Sequence, residues 1–143
     1  MCIATRSGQV VLYQLTDHGR AVCSCLGIDP GPTPRESLEH RFWVERTAKH
    51  FEQRGYETIR EHPVKGNGAV DILATRPGEQ VAVEIETGKS NTQQNLDKIS
   101  EAGFDRIVFV ATSPAAAAAC QKVIADTTTK TLTVELLTWL DIS

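Results

Sequence analysis

Residues 66–90 read GNGAVDILATRPGEQVAVEIETGKS. Two aliphatic runs, VDILA and VAVEIE, flank Pro77-Gly78, the pattern of antiparallel strands joined by a tight hairpin. A loop symmetric about that dipeptide places Asp71 across from Glu84, and residues paired in this way project to the same face. Glu86, two residues on, shares that face, while Val81, Val83 and Ile85 point the other way, toward a core. At about 4 Å and an effective dielectric of about 20, each carboxylate repulsion is worth roughly 4 kcal/mol. A hard divalent cation with oxygen ligands is the simplest compensation. The plainer alternative is a row of solvated charges on the outer face of a half-exposed sheet. Asp is disfavoured in strands and like charges placed opposite one another destabilise the pair, so the three acids together favour a metal site.

The flanks extend the pattern. LEHRFWVERTAKHFEQRGYETIRE precedes VDILA, and VAVEIETGKS follows it. An Asp leaving an apolar strand, then a hairpin, then an acid-x-charged tripeptide resembles the PD-(D/E)xK nuclease superfamily. The flanks are similar to archaeal Holliday junction resolvases and restriction-endonuclease-like domains. The resemblance covers roughly Ser37 to Thr112. It implies that Glu39 corresponds to the acid on the first helix, Asp71 to the motif Asp and Glu84 to the motif Glu. Glu86 stands where the family usually has Lys, although some restriction enzymes of the superfamily carry E-x-E there.

The chain has 143 residues, 41% hydrophobic and 23% charged, which suits one globular domain with a core and room for an appendage. No run approaches the roughly 18 apolar residues of a membrane span, and the start MCIATRSGQ lacks the apolar core of a signal peptide, so a cytoplasmic location is expected. Cys2, Cys23, Cys25 and Cys120 have neither disulfide-scaffold nor zinc spacing and read as reduced structural thiols. The net charge of −3 argues mildly against a strong nucleic-acid binder, but it is unevenly spread. There are nine Lys and Arg against eight Asp and Glu through Lys65, and six against ten beyond it. The acidic excess falls in the half with the carboxylates, where a bound metal would invert the local field.

Taken from the start, QVVLYQL (9–15) reads as a strand and Thr16 as the cap of a short helix reaching about Leu26, with Gly27 at its end. A strand running into L-T-x-x-G-R is similar to the last strand and helix of winged-helix DNA-binding domains; a strand and helix that pad the main domain are the alternative. Asp29-Pro30-Gly31-Pro32 reads as a linker, which divides an appendage over 1–32 from an α/β domain over 33–143. Thr33-Pro34-Arg35-Glu36 has the form of a capping box, predicting a helix from there to about Arg54, stopped by Gly55. Its apolar side holds Leu38, Phe42, Val44, Ala48 and Phe51, and its basic side Arg41, Arg46, Lys49 and Arg54.

Tyr56–Arg60 is expected to be the first strand of the domain, 63–68 a loop whose glycines permit positive φ, and Asn91–Ala102 a helix with Leu96 and Ile99 inward. The run 107–111, IVFVA, is continuously apolar and predicts a strand covered on both faces. An Ala-rich helix starts at Ser113-Pro114, and Leu132–Leu136 closes the sheet. The result is an α/β fold with a mixed central sheet flanked by helices, αβββαβ with an extra α and β, as in a restriction-endonuclease-like core. His40, His50 and His62 lack mutual metal spacing, and Trp43 and Trp139 read as packing residues.

The resemblance implies divalent-metal-dependent cleavage of a DNA phosphodiester. Asp71, Glu84 and the carbonyl of Ile85 would hold Mg²⁺ or Mn²⁺, and Glu86 would act as general base or second ligand. Lys89 would supply the cation, with Glu39 in support. Arg41, Arg46, Lys49, Lys65 and Lys89 are the candidate phosphate contacts. Cutting both strands of a duplex needs two sites, so a homodimer is expected. The competing function is a module of the same fold that has lost catalysis and serves to bind DNA or a partner.

Overall fold

The computed structural model describes residues 1–66, 68–127 and 132–142. The elements run β1 (Cys2–Thr5), β2 (Gly8–Val11), α1 (Asp17–Cys25), α2 (Leu38–Glu52), β3 (Glu57–Pro63), β4 (Ala69–Arg76), β5 (Glu79–Glu86), α3 (Thr92–Ser100), β6 (Arg106–Ala111), α4 (Pro114–Asp126) and β7 (Thr133–Thr138). From α2 through β6 the order is αβββαβ, and α4 with β7 supplies the extra pair. The main sheet has the order β3-β4-β5-β6-β7. Its first three strands are antiparallel neighbours, and β6 and β7 continue it in parallel. The parallel pairs require crossovers, which α3 and α4 provide.

Alternation along the central strands explains why both faces are covered. Ile72, Ala74, Val81, Val83 and Ile85 pack with Trp43, Val44, Ala48 and Phe51 of α2. On the other face Leu73, Ala82, Ile107 and Phe109 pack with Leu96 and Ile99 of α3 and with Ala116 and Cys120 of α4. The apolar β6 therefore lies inside both cores, as its sequence predicts. Trp43 is fully buried and Trp139 packs at the edge of the α2-side core. All four cysteines are free. No helix among the described residues is long and apolar enough to cross a membrane.

Several expected boundaries move, β7 among them, which spans Thr133–Thr138 rather than Leu132–Leu136. The 9–15 strand is a hairpin of β1 with β2, because Cys2–Thr5 pairs with Gly8–Val11 through a two-residue turn. Ile3 of that hairpin enters the α2-side core beside Trp43 and Ile142. The first strand of the main sheet runs to Pro63 rather than Arg60, held by its register against β4. The long helix begins at Leu38, not after Thr33. Ser37 is its N-cap, accepting from the His40 N–H at 3.1 Å, so the cap nearer the apolar pattern wins over the Thr33-Pro34 box. Helix α1 is capped as expected, with Thr16 accepting from the Gly19 N–H. Asn67, within the predicted 63–68 loop, lies outside the described residues.

This assignment is testable by stability. Ser37→Ala should cost about 1 kcal/mol in denaturant unfolding, the usual value of an N-cap, whereas Thr33→Ala should change little. Equal losses would place the helix start back at the proline.

Candidate active site

The β4–β5 pairing runs from Arg76↔Glu79 to Ile72↔Val83. One step further, the same register sets Asp71 against Glu84, and there the ladder ends. Asp71 Oδ2 instead accepts from the Ile85 backbone N–H at 2.8 Å, so its carboxylate occupies the fork between the two strands. Asp71 and Glu84 are close enough at this point for the ionisation of each to affect the other. On the β3 side the residue facing Asp71 in register is Glu61, the sole non-glycine with positive φ (51°) among the described residues. A bulky residue held in the left-handed region costs of order 1–3 kcal/mol, and such strain collects at functional sites.

Both helical layers reach the pair. From α2, His40 Nε2 lies 3.2 Å from Asp71 Oδ1 while its Nδ1 lies 3.1 Å from Glu36 Oε2. From α3, Lys98 Nζ lies 3.1 Å from Glu84 Oε1 and donates to the Ala69 carbonyl at 2.8 Å. These contacts pull the two acids apart electrostatically. Burial and the adjacent Asp71 charge push the Glu84 carboxyl up to about 9, only partly offset by Lys98. Burial works against ionisation of Asp71 as well, but hydrogen bonds from His40, Glu84 and the Ile85 N–H outweigh it and lower its pKa. His40 is raised to about 9, chiefly by its hydrogen bond to Asp71 and against the effect of burial. At neutral pH the cluster is thus a carboxylate, a carboxylic acid and an imidazolium.

Glu86 does not join this pair. It is 1% exposed, and its two oxygens accept from Asn95 Nδ2 at 3.0 Å and Thr92 Oγ1 at 3.3 Å, both on α3. Burial raises its pKa while those hydrogen bonds oppose the rise. Glu39 turns to the end of β6, where Thr112 Oγ1 donates to it at 3.4 Å, and His40 rather than Glu39 meets the sheet's acids. Lys89 and Lys65 are exposed. Arg41 donates to Gln14 Oε1, Arg46 lies over the Phe42 ring, and Lys49 is exposed on the same helix. Open grooves flank the fork. One of about 550 Å³ is lined by Gly66, Gly68, Asn95, Asp97, Lys98 and Glu101, and one of about 370 Å³ by Glu36, Arg41, Arg60 and Asp71.

His40 and Lys98 are absent from the sequence-derived set. His40 is signalled only by Glu36 four residues before it, a spacing that puts both on one helix face. Lys98 stands three residues after Asn95, on the turn that carries Leu96 and Ile99 inward, but nothing local says that this turn crosses the acids.

The pKa directions fix a pH dependence for the metal-free protein. Glu84 keeps in the fold a proton that the unfolded chain loses near its ordinary 4.5, and His40 keeps one that the unfolded chain loses near 6.5. Each contribution is present below the unfolded value and is lost as pH rises toward about 9. Asp71, shifted down, has the opposite sign and matters only in acid. In EDTA, stability should fall between pH 5 and 9, and Glu84→Gln should flatten that fall by up to about 1.4 kcal/mol per pH unit. Parallel slopes in denaturant titrations of the two proteins would contradict the proton on Glu84.

Neither a protein-family model nor a curated protein matches the chain. Among solved structures, the chain is similar to that titled crystal structure of a repair endonuclease from Pyrococcus abyssi, with a TM-score of 0.46 and 18% identity. The match covers 78% of this chain and 50% of the other, so the chain spans about half that protein's length.

Proposed function

We propose that the protein is a divalent-metal-dependent endonuclease that hydrolyses phosphodiester bonds in DNA, with Asp71 and Glu84 as the metal-holding acids. The observation that carries this reading is the meeting of the half-buried Asp71 with the buried Glu84 at the strand fork, where Asp71 accepts from the Ile85 N–H and faces His40 while Glu84 faces Lys98. Such an arrangement costs stability unless a cation takes the place of the proton on Glu84. Among the described residues no three His, Cys, Asp or Glu side chains converge tightly enough to form an all-protein metal cage. Two carboxylates nevertheless fit Mg²⁺ or Mn²⁺, because Mg²⁺ is commonly held by one or two carboxylates with water and substrate phosphate completing its shell. The Ile85 carbonyl is the proposed third protein oxygen.

When bound, the cation supplies positive charge for the phosphoryl oxygen and acidifies water. The chain's own groups do the positioning. His40 and the Ile85 N–H fix the Asp71 carboxylate from two directions. Hydrolysis then adds water across one P–O bond. The water oxygen bonds to phosphorus, the bond to the sugar oxygen breaks with its electron pair, and the proton lost by water is matched by one gained on the leaving oxygen. DNA is the proposed substrate and a homodimer the proposed assembly for duplex cleavage. Arg41, Arg46 and Lys49 along α2 are the proposed phosphate contacts, with Lys65 and Lys89 at the loops.

A second reading, the same fold acting only as a binding module, is favoured by Glu86. Its oxygens accept from Thr92 and Asn95 of α3 and it is closed to solvent, which speaks against its service as base or ligand.

The two readings separate in one assay on supercoiled, linear and branched DNA with Mg²⁺ or Mn²⁺. Metal-dependent cleavage is expected, lost by at least about 100-fold in Asp71→Ala, the scale of removing a charge-stabilising group from an active site. Mg²⁺ should also raise the melting temperature of the wild type, by mass action, and much less that of Glu84→Gln. A metal-dependent rise without cleavage of any substrate would favour the binding module; absence of both would overturn the metal site.

A further inference from the structure

Lys98 stands apart from the other basic residues of this chain. Its ammonium group has three N–H donors, and two are directed at acceptors: the Glu84 carboxyl and the Ala69 carbonyl, two residues before Asp71. Its side chain is 15% exposed, and it lines a groove of about 550 Å³ along α3 that it shares with Asp97 and Glu101, which leaves it the groove's one lining cation among the described residues. A lysine whose only task was to neutralise Glu84 would be enclosed; this one is fixed at its head, keeps one donor unspent among the described residues, and borders open space. Fixing it beforehand removes the ordering cost that an exposed lysine such as Lys89 or Lys65 meets on binding an anion.

What fixes Lys98 is α3, and Glu86 adds a polar anchor to the core packing of Leu96 and Ile99 that seats this helix on the sheet. Thr92 and Asn95 both donate to the Glu86 carboxyl, and Asn95 lies one turn before Lys98, on the same helix face. Asn91 caps the helix by accepting from the Gln94 N–H, so its first turn is held at both its backbone and its side chains. The β5 positions 84 and 86 thus grip successive turns of α3, Glu84 through Lys98 and Glu86 through Asn95 and Thr92.

We propose that Lys98 is the side chain of this site that contacts the phosphate of bound nucleic acid, and that Glu86 is a positioning residue which holds α3 so that Lys98 reaches it. This rests on the nuclease reading for its substrate class. It goes beyond that reading in giving Glu86 a task outside the chemistry and in taking the site's cation from a helix, not from the strand or the loop after it.

The test measures binding of a short DNA duplex across a salt series in EDTA, where nothing is cut, together with turnover in Mg²⁺ or Mn²⁺. Lys98→Met should weaken binding and lower the slope of log Kd against log salt by about one, the signature of one lost phosphate contact. Lys98→Arg should keep the slope, and Lys122→Met, on the exposed side of α4, should match the wild type. Where the wild type cleaves, Lys98→Met should lower kcat by about 100-fold or more. Glu86→Ala should reproduce part of the slope loss, Glu86→Gln should restore it, and Glu86→Ala should add nothing in the Lys98→Met background, since it acts through that residue. If Lys98→Met does not fold, Lys98→Gln takes its place. An unchanged slope in the folded Lys98 variant overturns the proposal, as does an undiminished effect of Glu86→Ala in the double variant. A Lys98-dependent slope in a protein that cuts no DNA sustains this inference and removes the nuclease reading. Cleavage untouched by Lys98→Met does the reverse, and a wild type that binds no DNA removes both.

Discussion

The repulsion between Asp71 and Glu84 is the constraint on which the surrounding structure depends. Pairing through Ile72↔Val83 brings the two acids together at the place where β4 and β5 part. Bare charges there would repel by about 4 kcal/mol at 4 Å even in a moderately polarisable surrounding. The fold relieves this by raising the pKa of Glu84 and by directing at the pair a backbone N–H from Ile85, the His40 imidazole from α2 and an ammonium from α3. Each layer of the sandwich therefore contributes one cation to a strand pair in the middle. Packing of α2 and α3 on opposite faces of the sheet, driven by Trp43, Phe51, Leu96 and Ile99, is what makes that possible.

The same geometry gives Glu86 its character. A carboxyl at 1% exposure is tolerable only when its oxygens are satisfied, and Thr92 and Asn95 do this within one turn of helix. Breaking such a buried network generally costs more than the network contributes, because a stranded carboxyl remains behind. Glu86 thereby ties the helix bearing Lys98 to the strand bearing Glu84. The acids at alternate positions of β5 serve different ends: one faces the fork and the other anchors the layer above it.

Much of this was legible in the chain. The Pro77-Gly78 hairpin fixed the register that puts Asp71 against Glu84, because a two-residue loop leaves no slack between two uninterrupted apolar runs. The apolar run 107–111 announced a doubly covered strand, and the elements came in the expected order. Less legible was whatever depends on contacts between layers. The alternation of β5 gave the face of Glu84 and Glu86 but not that α3 covers it and takes up the oxygens of Glu86. His40 and Lys98 escaped notice because their partners lie 31 and 14 positions away in the chain and belong to the sheet. The start of α2 was misplaced for a local reason, two competing caps four residues apart. The hairpin of β1 was missed because a strand as short as CIAT carries too little alternation to register.

The central claim, that the fork holds a divalent cation, is tested most directly by diffraction from crystals soaked in Mn²⁺, with the metal located by its anomalous signal. The account predicts a peak between the Asp71 and Glu84 carboxylates in the wild type and none there in Asp71→Asn. A fork without Mn²⁺ at saturating metal, or a peak bound only elsewhere on the protein, would contradict it.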